Sequence, residues 1–244
     1  MLEKGHFDEL RLLLDRLNAD PIKKAQRQNF VFSATLTLVH ELPKYTKGKG
    51  KKSKGPQQTP VQKLQLLIGQ LGISQPKVVD VTKSSGTATN LTECRIICEL
   101  EQKDLYLYYF LQQHPGRTIV FCNSIDCVKR LGQLFALLDC QPRPLHAQMN
   151  QRQRLKNLEK FTASPTGLLI ATDVAARGLD IPNVKHVIHY QVPRTSENYV
   201  HRSGRTARAD NQGITIMLME PTEIRDYVKL CRTLNRSKLF VFIF

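Results

Sequence analysis

The stretch GRTIVFCNSIDCVKRLGQLFALL (116–138) decides the fold. Its opening, GRTIVFC (116–122), is a short run of β-branched and apolar residues, the composition of a strand. After Asn123–Ser124 the period changes. Cys127, Val128, Leu131, Leu134, Phe135 and Leu138 recur at three- and four-residue spacings, so they share one face of a helix over 124–138. Asn and Ser accept hydrogen bonds from the free amides of a first helical turn, so the strand runs almost directly into a capped helix. That is half of a βαβ unit.

The same alternation continues outward in both directions. Upstream, ECRIICEL (93–100) reads as a strand and DLYLYYFLQQH (104–114) as a helix. Downstream, PRPLHA (142–147) begins a strand, and 151–162 is a helix carrying Leu155, Leu158 and Phe161. GLLIATD (167–173), HVIHY (186–190) and GITIMLM (213–219) are further strands, with a short helix at 196–202. Pro221 opens a last helix, with Ile224, Tyr227, Val228, Cys231 and Leu234 on one face. Strands alternating with helices predict an α/β fold, a parallel sheet with helices on both faces.

Before residue 91 the pattern is incomplete. Residues 1–17 read as a helix with Leu10, Leu13, Leu14 and Leu17 on one face, NFVFSA (29–34) as a strand, and 37–41 as a short helix. Together these are too little to close a sheet. KYTKGKGKKSKGPQQTP (44–60) holds six lysines with Gly, Ser and Pro and no apolar period, a self-repelling flexible insertion. A helix over 60–71, a strand at KVVDV (77–81) and a turn-rich link at 83–90 follow. The chain therefore divides into a partial unit (1–43), the Lys-rich insertion (44–60), the rest of that unit with a link (61–90), a complete α/β unit (91–236) and an apolar tail (237–244).

Composition narrows the function. The 244 residues are 41% apolar, enough for a core, and Lys+Arg exceed Asp+Glu by 36 to 21, a net charge of +15. Such an excess suits a polyanion, nucleic acid before an acidic membrane surface; a merely solvated basic face is the plainer alternative. No run approaches the roughly 18 apolar residues of a membrane span. The charged start MLEKGHFDEL does not read as a signal peptide. Six cysteines, without paired CxxC spacing, read as reduced thiols and not as metal ligands.

In parallel α/β sheets, ligands bind beyond the carboxyl ends of the strands. There TIVFC runs into Asn123–Ser124, GLLIA into Thr172–Asp173 and then ARGLD (176–180), and HVIHY into VPRTS and HRSGRTAR (201–208). Arg202, Arg205 and Arg208 recur every three residues. Guanidiniums so close repel one another unless anions pair them, and the anions could be carboxylates of the same domain or phosphates of a nucleotide. In the second case the segment is an arginine finger, stabilising the charge on a phosphoryl group in transfer. Yet no GxxxxGK[ST] phosphate loop occurs in these residues, and no acidic pair follows an apolar strand. The triphosphate's cradle is therefore expected on another domain.

SAT (33–35), IVFCNS (119–124), QRQR (151–154), ATDVAARGLD (171–180) and HRSGRTAR (201–208) occur in the order and approximate spacing of the DEAD-box RNA helicases, and the chain resembles that family from about 1 to 236. The resemblance implies a second RecA-like lobe preceded by an incomplete piece of a first. It implies ATP and Mg2+, both held mainly by the first lobe, and single-stranded RNA gripped by its backbone. Carried onto this sequence, Arg205 and Arg208 reach the γ-phosphate, and Asp180 meets the ATP ribose. Asn123, Ser124, Gln151, Arg154 and Thr172 face RNA. Ser33, Thr35, His201 and Arg202 couple the two activities.

EKGHFDEL (3–10) resembles the segment just after the DEAD tetrapeptide, which would place the phosphate loop and DEAD carboxylates before residue 1 and leave this chain inactive alone. Ala207 stands where the family usually has Gly, a change that matters if the position needs φ > 0. The insertion and the wording of 91–111 and 190–209 resemble the nucleolar branch that assembles ribosomes, implying a nuclear location and pre-ribosomal partners. The alternative is a short RNA-binding or dominant-negative module without enzymatic activity.

Overall fold

The computed structural model describes residues 8–35, 60–79, 87–176, 181–234 and 241–242. The chain splits into two units, Met1–Thr82 and Lys83–Phe244. In the first, α1 (Asp8–Asn18) is followed by α2 (Pro21–Gln26), and α3 (Pro60–Leu71) comes after the insertion. The sequence pattern did not reveal α2. Asp20 caps it by accepting the amides of Ile22 and Lys23, and Pro21 supplies a preset φ at its first position. Arg27 then reaches back to the end of α1, donating to the Leu17 carbonyl at 2.8 Å and to Asn18 Oδ1 at 2.6 Å.

Two strand expectations fail here. Residues 29–33 are irregular, with Phe30 and Phe32 exposed, and so are 77–79, with Val78 and Val79 exposed. A strand exists only through a neighbour's hydrogen-bond ladder, and among the described residues of this unit there is no strand to provide one. The expected helix at 37–41, the Lys-rich insertion before Pro60 and residues 80–86 lie outside the described residues.

The second unit runs β1 (Leu91–Ile97), α4 (Leu100–Gln113), β2 (Thr118–Cys122), α5 (Ile125–Leu137), β3 (Arg143–Leu145), α6 (Gln151–Ala163), β4 (Leu168–Thr172), α7 (Asp173–Ala176), β5 (His186–His189), α8 (Ser196–Ser203), β6 (Gly213–Met219), a 3-10 turn (Pro221–Glu223), α9 (Ile224–Thr233) and β7 (Val241–Phe242). The sheet order is β3-β4-β2-β5-β6-β1-β7, with every neighbouring pair parallel.

Alternation along β2 builds two cores. Val120 and Cys122 pack with Leu107 and Phe110 of α4 and Val128, Leu131 and Phe135 of α5. Ile119 and Phe121 point the other way, toward Phe161 of α6 and Ala175 and Ala176 of α7. Helices thus cover both faces of the parallel sheet, as expected for the RecA-like lobe that the resemblance implies.

Boundaries moved where capping outweighs hydropathy. β1 ends at Ile97 and α4 begins at Leu100, because Glu99 and Gln102 form a reciprocal capping box. In the apolar tail, Val241 and Phe242 pair with Cys94 and Arg95 on the sheet edge.

Candidate functional site

The carboxyl ends of β2, β4 and β5 lie side by side, since Cys122 is in register with Thr172 and Phe121 with His189. Asn123, Asp173 and Gln191 are therefore delivered to one edge of the sheet by backbone register alone. Arg202, from α8, closes the group. Its side chain is 1% exposed, so its charge must be paired. Nε donates to Asp173 Oδ1 at 2.6 Å and Nη2 to Asp173 Oδ2 at 2.8 Å, a bidentate pair. Nη2 also donates to Asn123 Oδ1 at 2.7 Å, and Nη1 to the Gln191 carbonyl at 3.2 Å. The guanidinium carbon sits 5.4 Å from the centre of the Phe121 ring. Of the two sources of anion considered for the arginine series, Arg202 takes the carboxylate of its own domain.

Asn123 is committed on every side. Its amide donates to Gln191 Oε1 at 2.8 Å, its side-chain Nδ2 to the Val192 carbonyl at 2.9 Å, and its carbonyl accepts from Arg194 at 3.2 Å. Ser124 accepts the Cys127 amide as the cap of α5. Gln151 opens α6 and is exposed. Arg154, one turn later, donates to Gln151 Oε1 at 3.4 Å and to the Ala175 carbonyl at 3.2 Å, while its buried Nε has no hydrogen-bond partner. Arg154 thereby ties the start of α6 to α7, the helix that begins directly after Thr172, itself buried at the end of β4.

α8 is held from beneath. His189 is fully buried, with Nε2 3.2 Å from Ser203 Oγ and 3.0 Å from Thr215 Oγ1, and its ring stacks on Tyr199. Burial, aided by the Arg202 charge, holds its pKa well below the usual imidazole range, so the ring is neutral. Tyr199 donates its hydroxyl to Glu93 of β1 at 2.7 Å. His201, half-buried, is on the same helix as Arg202.

The last two arginines follow the Gly204 cap of α8 and are half-buried. Between them Thr206 is buried and donates to the Val184 carbonyl at 2.6 Å, or alternatively to that of Lys185 at 3.1 Å, anchoring the segment beside β5. Ala207 has φ +53°, the left-handed region, so the position where the family usually carries Gly does require positive φ. Arg208 Nε donates to the Gly204 carbonyl at 3.0 Å. Asp180 and the rest of 177–180 lie outside the described residues. Ser33 and Thr35 belong to the first unit, where the Thr35 amide donates to Ser33 Oγ at 3.2 Å.

Sequence reasoning missed Asp173 and Gln191 as parts of this cluster. Asp173 stood in the sequence only as the residue after a strand end because its partner lies 29 residues away, and no local pattern links it to a distant arginine. The available signal was the surplus of guanidiniums needing anions.

A parallel sheet whose strand ends gather these residues, followed by an arginine-bearing segment, is what the resemblance to the DEAD-box family implies for a helicase C-terminal lobe. The family model described as the helicase conserved C-terminal domain matches residues 101–210. The human ATP-dependent RNA helicase DDX24 is 54% identical over 245 residues, covering 98% of this chain and 27% of the relative. The ATP-dependent RNA helicase mak5 of Schizosaccharomyces pombe is 43% identical over 240 residues, covering 97% of this chain and 36% of the relative. Among solved structures, the E. coli DEAD-box protein SrmB, crystallised with the regulator of ribonuclease activity A, matches with a TM-score of 0.58 and 32% identity, over 63% of this chain and 89% of that one. The chain belongs to the DEAD-box helicase family. It spans 27% of the length of the human relative.

Proposed function

We propose that this chain is the portion of an ATP-dependent RNA helicase that completes an ATP site from across a cleft and holds one RNA strand by its backbone. The observation that carries the reading is where the last two arginines stand. Arg205 and Arg208 lie on a half-buried segment that Thr206 anchors at the sheet edge, directly after the helix whose Arg202 pairs with Asp173. A permanently charged planar group held in this way can meet the γ-phosphate of a nucleotide cradled by another lobe.

Asp180 would take the ribose, and Mg2+, arriving with ATP, would find its protein ligands outside these residues. Ser124, Gln151, Arg154 and Thr172, with the Asn123 loop, would contact the sugar–phosphate backbone, which gives affinity without base readout. Ser33, Thr35, His201 and Arg202 would couple nucleotide state to RNA grip, since a cleft shared by two lobes makes binding and closure one event. The similarity to DDX24 and mak5 and the lysine-rich insertion support pre-ribosomal RNA as substrate and the nucleolus as location.

The test is a chimera in which this chain replaces the matching part of the human relative. RNA-stimulated ATP hydrolysis should be retained, and Arg205→Ala or Arg208→Ala should lower turnover at least about a hundredfold. The 244-residue chain alone should bind single-stranded RNA weakly and hydrolyse no ATP. Turnover unchanged by both substitutions would remove the arginine role.

A further inference from the structure

Lys103, in the first turns of α4, is fully buried, and a buried ammonium persists only where carboxylates pair it. Glu220 Oε1 and Glu223 Oε2 each lie 2.8 Å from its Nζ. Glu223 does more than neutralise. Its Oε2 also accepts the Glu220 amide at 3.0 Å, and its Oε1 accepts the amide of Val192, in the segment after β5, at 3.2 Å.

Val192 is buried, and its carbonyl is the acceptor for Asn123 Nδ2. One peptide strap is therefore held at its N–H by Glu223 and close by, at its carbonyl, by Asn123. The two ends of a side-chain amide differ only in hydrogen-bonding sense, so its orientation is set by what faces it. Arg202 can only donate and the Val192 carbonyl can only accept, which fixes Asn123 with Oδ1 toward the guanidinium. If the strap turned because its N–H lost Glu223, Asn123 would lose its acceptor. Its NH2 group could then swing against Arg202.

We propose that Glu223, with Lys103 as its counter-ion, is a positioning residue that acts through Val192 to set the Asn123 amide and hence the Arg202 cluster. Its consequence for RNA rests on the function proposed above; its consequence for Asn123 does not.

The three groups facing the Glu223 carboxylate are all donors, so Glu223→Gln must place an NH2 against at least one of them. Glu220→Gln also weakens the neutralisation of Lys103 but leaves the Val192 contact alone, which separates positioning from charge balance. In the full chain, labelled with 15N, we expect Glu223→Gln to shift the Asn123 side-chain amide and Arg202 Nε signals. Affinity for a fluorescent single-stranded oligouridylate should fall about fivefold, the scale of one hydrogen bond. Glu220→Gln should leave both readouts near wild type. Glu223→Asp, which keeps the charge but shortens the reach, should behave like Glu223→Gln and serves if that variant does not fold.

The proposal is overturned if Asn123 and Arg202 keep their wild-type signals in a folded Glu223 variant, or if Glu220→Gln moves them as far. Unfolding of both Glu223 variants also overturns it, because a positioning residue governs one peptide group and not the whole fold. A wild-type chain that binds no RNA would instead count against the functional reading, with the spectroscopic test still deciding the role of Glu223.

Discussion

Arg202 and Asp173 meet through two hydrogen bonds, at 2.6 and 2.8 Å, with the guanidinium 1% exposed. The pair joins α8 to the start of α7, directly after β4, and the Asn123 side chain, from the residue after β2, enters the same contact. Removing one member of a buried pair strands the other, at a cost of about 3–5 kcal/mol. Arg202→Ala is therefore expected to lower stability by that amount in urea unfolding. Arg202→Lys should recover only part, since an ammonium cannot span both carboxylate oxygens and Asn123 as the planar fork does. A loss under about 1 kcal/mol for Arg202→Ala would mean that the cluster contributes little to the fold.

Ala207 carries its methyl in the left-handed region, which costs an L-residue roughly 1–2 kcal/mol. Glycine relieves that strain but loses more chain entropy on folding, about 0.4–1 kcal/mol. The balance favours Ala207→Gly by roughly 0–1.6 kcal/mol, centred on about 0.8. A raised thermal midpoint checks it; a lowered one would show that packing of the buried methyl dominates.

Gly213 opens β6 directly against the arginine segment. A Cβ there would collide with Thr206 Oγ1 and approach the Ala207 nitrogen to 2.6 Å. Thr206 is tied to the Val184 carbonyl and the nitrogen is backbone, so neither can move cheaply. Gly213→Ala should cost about 1–3 kcal/mol, as overpacking does. In the chimera it should also depress ATP hydrolysis beyond what the stability loss explains, because it displaces the residues between Arg205 and Arg208. Wild-type turnover in a folded Gly213→Ala protein would argue against such displacement.

What was legible in the sequence follows from the range of each interaction. β2 and α5 could be read because their patterns are local: an uncharged run, a capping serine and apolar spacing. The parallel sheet followed from their repetition. NFVFSA misled because strand composition states a preference, whereas the ladder depends on a neighbour; Phe32 is 92% exposed in its unit. At the site, the strand ends and the arginine series were visible, but the pairing of Arg202 with Asp173 was not. That choice depends on register between β2 and β4 and on a contact between residues 173 and 202, both non-local. The same holds for Glu223, whose partners Lys103 and Val192 sit on other elements.

His186 gives the fold a pH dependence with a definite sign. It is buried in β5, its Nδ1 is 3.1 Å from Thr118 Oγ1, and its ring packs edge-on against Phe110. Burial, with smaller effects from His114 and Lys185, lowers its pKa from 6.5 to about 4. The unfolded chain takes up the proton near 6.5 and the folded chain does not until about 4, so between these values the unfolded state binds more protons. Stability is therefore unaffected by this group above pH 6.5 and declines as pH falls toward 4, by on the order of 3 kcal/mol in all. His189, also depressed by burial, acts in the same direction. Urea midpoints measured from pH 7.5 down to about 4.5 should fall steadily, and His186→Val, whatever its starting stability, should fall less steeply. An identical slope in wild type and variant would show that His186 does not carry this dependence.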